Sequence, residues 1–331
     1  MIYFRKHSVA LALALLAGGV SHGAFAQAGA AVTLSPARSD AHALHNMMLG
    51  ATRAGNRIVA VGAYGYIILS DDGGASYRQA DKVPVDPTLT SVSFAGTEQG
   101  WAAGHGGVIL HTADGGKTWA LQRSDTSVDQ PLFSIWFANA NEGWAAGLWS
   151  LLLHTRDGGK SWQQVKLPTA PGQQRGDLNL LHIFPGRDGA LFVSAEQGVL
   201  YRSLDGGRHW EALATGSKAS LWSGVVTASG AIIVGGLGGK LLRSEDRGQH
   251  WQVLASPTSG SITALRSEGN QVMASSLSGS LLVSEDDGRQ WRIKAVARDA
   301  LTTLELQDGR AERPIAYGKG GQAKLEASVT R

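Results

Sequence analysis

The chain has 331 residues, only 17% of them charged, 44 glycines and no cysteine. The missing cysteine excludes disulfides, thiol catalysis, cysteine-ligated zinc and a lipid anchor on an N-terminal cysteine. A formal net charge of +3 with no clustered basic face gives no footing for a nucleic-acid partner.

The first element is a leader. Arg5, Lys6 and His7 form a basic start, Ser8 to Val20 is an apolar run, and Ala24-Phe25-Ala26 fits a small-x-small cleavage site. This is the anatomy of a signal peptide over residues 1–26, with the cut before Gln27. Its apolar run falls short of the about 20 residues a membrane span needs. Cleavage would remove two of the 30 basic residues, leaving 28 against 27 acidic ones. The expectation is an exported, periplasmic protein, monomeric on its own and at most peripheral to a membrane.

From residue 27 onward the sequence repeats. Six segments share Ser/Thr, any residue, Asp, any residue, Gly, two residues, then Trp or Tyr: SDDGGASY at 70–77, TADGGKTW at 112–119, TRDGGKSW at 155–162, SLDGGRHW at 203–210, SEDRGQHW at 244–251 and SEDDGRQW at 284–291. Their aspartates, Asp72, Asp114, Asp157, Asp205, Asp246 and Asp286, lie 42, 43, 48, 41 and 40 residues apart. The long interval holds an inserted loop, Pro168 to Asp177. Each box reads as a turn that an Asp side chain closes by accepting backbone N–H groups two residues on. The glycine supplies a positive φ, and the closing aromatic packs between sheets.

Ahead of each box lies an apolar run such as Val108-Ile109-Leu110, then a glycine-bearing turn, then a strand such as Gly100-Trp101-Ala102-Ala103, then an alternating strand such as Ser91-Val92-Ser93-Phe94. Four short strands per unit of about 40 residues predict a β-propeller, whose radial repetition protects sheet edges. First strands are expected near Leu44, Leu89, Leu132, Asn179, Leu221, Ser261 and Leu301. The fold is therefore expected to be all-β: one seven-bladed domain of four-stranded antiparallel blades over residues 27–331. The seventh unit lacks a box. Its three strands are expected to be completed by Ala31-Val32-Thr33-Leu34, so that the N-terminal strand closes the ring.

In such a blade the box joins strands three and four at one face. The turns between strands two and three share the other face with the linkers between blades. Those turns keep their glycines while their tips vary, as on a scaffold with a variable face. Tyr64, His105, Trp149, Glu196 and Lys319 are the candidate binding residues, with Trp149 foremost because an exposed Trp suits an interface. The box aspartates are structural. His111 and His154 occupy equivalent strand positions, with no carboxylate at ligand spacing, and read as structural. No catalytic residue, metal or cofactor is expected. The first strands carry little charge, with His45, His182, Arg266 and Glu305 the main polar residues. A glycosidase would need two carboxylates about 5–9.5 Å apart. The alternative readings are a sialidase-like or glycoside hydrolase-like enzyme, or a glycan-binding lectin stacking sugars on Trp149 and Tyr64.

The boxes resemble the bacterial neuraminidase repeat. The whole pattern resembles the photosystem II stability and assembly factor family. The residues that carry this are the strands Gly100–Gly104 and Gly143–Gly147, both G-W-A-A-G, and the boxes Asp114–Trp119 and Asp157–Trp162, of the form D-G-G-K-[ST]-W. The likeness runs over about residues 40–325. It implies a non-catalytic scaffold that binds a protein client and assists assembly or operation of a membrane-protein complex. In photosynthetic organisms the family's client is a nascent reaction-centre subunit. Relatives in other bacteria suggest an accessory of an RND-type exporter. The family's basic client patch has no compact counterpart here, since Arg202 and Arg243 align in neighbouring units on an outer strand.

Overall fold

The computed structural model describes residues 34–172, 176–307, 310 and 312–327. The leader and its cleavage site lie outside the described residues.

Seven antiparallel sheets follow one another along the chain. Blade 1 contains Met48–Ala54, Arg57–Gly62, Ile67–Ser70 and Arg78–Gln79, hydrogen-bonded in that order. Blades 2 to 7 open with Leu89–Ala95, Leu132–Phe137, Leu180–Pro185, Leu221–Val226, Ile262–Glu268 and Leu301–Leu306. First strands of neighbouring blades lie side by side around the centre. The chain is thus a seven-bladed propeller. Six of its first strands begin within a residue of the expected positions. In blade 1 the stretch at Leu44 is instead a 3-10 turn, Ala41–His45, capped by Asp40, and the strand begins at Met48. His45 accordingly lies ahead of the first strand rather than on it.

The six boxes share one bonding scheme. The Ser or Thr hydroxyl donates to Asp Oδ1 at 2.8–2.9 Å and accepts the N–H of the second loop glycine, as Thr112 does from Gly116 at 3.0 Å. Each Asp Oδ1 accepts a backbone N–H four residues on, at 2.9 Å in every box. The sequence placed that donor two residues on. The hydroxyl takes over the near donor and frees the carboxylate to span the whole loop.

The boxes also join blades. The carbonyl of the residue after the Asp accepts from the preceding blade: Arg57 Nη1 to Gly115 at 2.9 Å, Trp101 Nε1 to Gly158 at 3.0 Å, Arg202 Nη1 to Arg247 at 2.5 Å and Arg243 Nε to Asp287 at 2.9 Å. Near the centre a second seam runs between first strands. Ser91, Ser134, His182 and Ser223 occupy the same strand position. Each accepts a backbone N–H from the next first strand, of Ile135, Ile183, Gly224 and Leu265 respectively, at 3.0–3.2 Å.

The expected strand at 31–34 lies, except for Leu34, outside the described residues. Leu34 and Ala37 pack on the cluster shared by blades 1 and 2, and Ala37 N–H donates to Val83 at 3.0 Å. The seventh sheet has three strands among the described residues, ending at Gly321–Gln322. The chain then turns back, and Glu326–Ala327 adds a fifth strand to blade 6 by pairing with Val296 and Ala295.

Candidate functional site

Antiparallel connectivity decides which side each turn occupies. The turns between strands two and three and the inter-blade linkers share one face, and the box turns share the other. On the linker face the seven turns follow one plan. In six of them the first residue's N–H donates to a carbonyl at the start of the same blade, among them Ala63 to Met47, His105 to Thr88, Leu148 to Pro131 and Leu237 to Ser220, at 2.9–3.0 Å. The second and third residues are left-handed in blades 1 to 5, a conformation that favours glycine.

Four non-glycine residues, Tyr64, Trp149, Ser150 and Gln197, break that preference, and two of them are aromatic. Tyr64 and Trp149 sit second in their turns at φ 58° and 53°. They are 52% and 51% exposed. A large side chain kept in a strained conformation and turned to solvent is what a contact residue looks like. Tyr64 also leans on Tyr66, ring centroids 6.0 Å apart.

The other sequence candidates lie on the same face but do different things. Glu196 is committed to its neighbours: its carboxylate accepts the backbone N–H of Asn179 at 3.1 Å and its Nδ2 at 2.9 Å. Asn179 Oδ1 in turn accepts the N–H of Trp149 at 3.1 Å. Glu196 is thus a positioning residue for Trp149, working through Asn179, a residue the sequence marked only as a blade start. His105 is half-buried, and burial holds its imidazole below the ordinary histidine range, with Asp129 opposing. Lys319 is exposed at the tip of the blade 7 turn.

Four apolar residues escaped the sequence reading. Leu49, Phe133, Leu181 and Trp222 are second in their first strands, each partly exposed next to a buried first residue, at the linker-face end of the strand. Aligning the first strands by register exposes them, whereas hydropathy alone marks every such residue as core.

Within the ring the polar residues pair with one another. Arg266 Nε meets Glu305 Oε2 at 3.3 Å, and its Nη2 donates to Ala51 O at 2.9 Å. His182 is held down to about 3 by burial, with the Arg266 charge adding to the effect. His111 bonds Gln99 at 2.8 Å beside Trp101. His154 stacks on Trp144 and meets Glu142 at 3.1 Å. A carboxylate therefore does accompany His154. Even so, no group of three metal-binding side chains gathers among the described residues.

Residues 79–227 match the family model for photosynthesis system II assembly factor YCF48. Over that span the chain is similar to photosystem II assembly factor-like propellers. No curated protein matches its sequence. Among solved structures it is similar to a YCF48 bound to a D1 peptide, at 20% identity and TM-score 0.67, covering 86% of this chain and 95% of that one. It is also similar to YCF48 from Cyanidioschyzon merolae, at 15% identity and TM-score 0.65, covering 88% and 98%. The WD40 repeats of RRP9 superpose about as well, with TM-score 0.64 at 9% identity, covering 88% and 97%. Superposition across such different sequences speaks for the fold alone. The matched segment runs from the last strand of blade 1 through the first strand of blade 5. It includes His105, Trp149, Asn179 and Glu196 and stops short of Lys319.

Proposed function

We propose that this chain is an exported, non-catalytic scaffold that binds a segment of a membrane-protein subunit on its linker face, assisting assembly or operation of the complex that contains it. One observation carries the reading: two half-exposed aromatics, Tyr64 and Trp149, held left-handed at equivalent turns of one face. The match to an assembly-factor family supports a protein client, as does a relative solved with a D1 peptide. In a bacterium without photosystems the same face would serve another envelope complex, and an RND-type exporter is the candidate.

Aromatic anchors of this kind dominate interface energies, and truncating one commonly costs 2 kcal/mol or more, roughly a 30-fold loss of affinity. The test is affinity capture from detergent-solubilised envelopes with the tagged chain lacking residues 1–26. The expected result is a specific membrane subunit that Trp149→Ala and Tyr64→Ala release while both variants melt with the parent protein. Retention of the partner by both variants would show that the face is wrong. Capture of no membrane protein, together with signal on a glycan array, would favour the lectin reading.

A further inference from the structure

In blades 1 to 6 the fourth residue of the linker-face turn is the first to re-enter the blade. In blades 1 to 4 it is Tyr66, Val108, Leu151 and Val199, between 0% and 5% exposed, and in blade 6 it is Ser280, 7% exposed. In blade 5 the same position holds Lys240, half-buried. Its backbone keeps the repeat, donating N–H to Leu237 at 3.4 Å as Val108 does to His105. Only the chemistry has changed, from a core hydrophobe to a cation. Among the described residues its ammonium has no ion-pair partner.

Lys240 lines a cavity of about 420 Å³ with Gly238, Gly239, Leu254, Ser256, Thr258 and Ser259. The cavity lies between the blade 5 turn and the linker to blade 6. Leu254, 7% exposed, is its apolar element. Most hydroxyls nearby are already engaged: Ser256 donates to Thr258 O at 2.9 Å, and Thr258 Oγ1 bonds Ser278 Oγ at 2.9 Å. Ser259 makes no such bond among the described residues, so its hydroxyl remains available. Leu237, which precedes the lining residue Gly238 in the turn, stands 42% exposed. A break in an otherwise regular repeat is where function is to be sought, and a partly desolvated cation gains from an opposite charge delivered into its site.

We propose that this cavity is a carboxylate-binding pocket, in which Lys240 and Ser259 take the carboxylate of a client peptide and Leu237 and Leu254 contact the apolar residue beside it. One cation with one free hydroxyl suits a singly charged carboxylate, whereas phosphate is commonly held by several cations or a bidentate Arg. The carboxylate can come from a peptide C-terminus or from an acidic side chain. The pocket shares a face with Trp149, so the proposal rests on the client-binding reading for the bearer of the carboxylate, and not for the pocket itself.

The experiment titrates the labelled protein with three short peptides, following backbone amide shifts: acetyl-Leu-Ala-Ala as free acid, the same peptide amidated, and acetyl-Leu-Glu-Ala amide. The expected outcome is saturable shifts at Gly238, Gly239 and Ser259 with the free acid, at least tenfold weaker with the plain amide. The Glu peptide matches one or the other and so identifies the carboxylate's source. Lys240→Val and Lys240→Leu restore the residue types of blades 2 to 4. Both should fold, melt no lower than the parent and lose the shifts. Equal binding of acid and amide, binding that survives Lys240→Val, or absence of shifts with every peptide would overturn the proposal. Partner capture separates the two readings. A Lys240→Val protein that still captures its partner while Trp149→Ala does not would sink the pocket and leave the face standing.

Discussion

The box aspartates carry the pH dependence of the acid range. Hydrogen bonds from Ser76 and from Ser161, side chain and then backbone, hold Asp72 and Asp157 down to about 2, against an ordinary 3.8. The backbone N–H groups of His209 and His250 head the causes that hold Asp205 and Asp246 lower still. A carboxylate depressed by folding contributes stability that is present above its unfolded value and lost as pH falls through its folded one. Melting temperature should therefore drop between about pH 4 and pH 2, and Asp157→Asn should show a shallower drop than the parent protein. His182 acts in a higher window. Its folded value is about 3 against an ordinary 6.5, so below 6.5 the unfolded chain takes up a proton that the native one refuses. Stability should decline from pH 6.5 downward. His182→Gln keeps an acceptor for the Gly224 N–H and should flatten the melting curve between about pH 6.5 and 4. A parent protein whose melting temperature is constant across that window would contradict the assignment.

At the scale of strands, the G-W-A-A-G segments show what repetition makes legible. Their glycines are demanded by close approach. A Cβ on Gly100 would lie 2.5 Å from the Phe94 ring and one on Gly143 2.6 Å from Phe137, while one on Gly104 would lie 2.2 Å from Thr88 O. The first of their tryptophans welds two blades together: Trp101 is wholly buried, stacks on Phe137 of blade 3 at 3.5 Å and donates to Gly158. Trp101→Ala should cost about 3–5 kcal/mol in urea unfolding, as burial of a large aromatic predicts. Trp101→Phe keeps most of the packing and should cost about 1 kcal/mol for the lost hydrogen bond. The strand pattern and its glycine turns recur along the chain, so spacing and residue type alone revealed blade number, strand order and the face that carries Tyr64 and Trp149. The relay from Glu196 through Asn179 to Trp149 was not legible, because its members are 17 and 30 residues apart and occur in one blade pair only. The sequence accordingly offered Glu196 as a contact residue, where the structure makes it a support. Lys240 lies between these cases. Aligning the seven turns reveals it, but only once the burial of Tyr66, Val108, Leu151 and Val199 shows what it replaces.

The whole ring depends on how blade 7 is held between blades 6 and 1. The sequence proposed a shared strand there, because a missing fourth strand and a short N-terminal strand were the only complementary pieces it displayed. Among the described residues, side chains and the C-terminal segment do this work. Arg266 of blade 6 pairs with Glu305 of blade 7 and reaches Ala51 O of blade 1. Thr302 of blade 7 donates to Met48 O of blade 1, and Tyr77 meets Tyr317 OH to OH at 2.8 Å. Ala323 N–H donates to Ala316 O at 2.8 Å before the chain crosses to blade 6. Glu305 is 8% exposed, so removing its partner leaves a nearly buried carboxylate uncompensated. Arg266→Ala should cost about 3 kcal/mol, and joint replacement by Met and Leu should recover part of that loss. Native-state hydrogen exchange locates the weakness better than a melting curve does, because opening of one blade need not unfold the rest. In Arg266→Ala, and in a chain ending at Gln322, the amides of Leu304 and Tyr317 should exchange faster while those of Ala145 and Leu153 in blade 3 stay protected. Uniform acceleration over all blades would mean that the ring opens as one unit and that neither the arginine nor the C-terminal segment is its clasp.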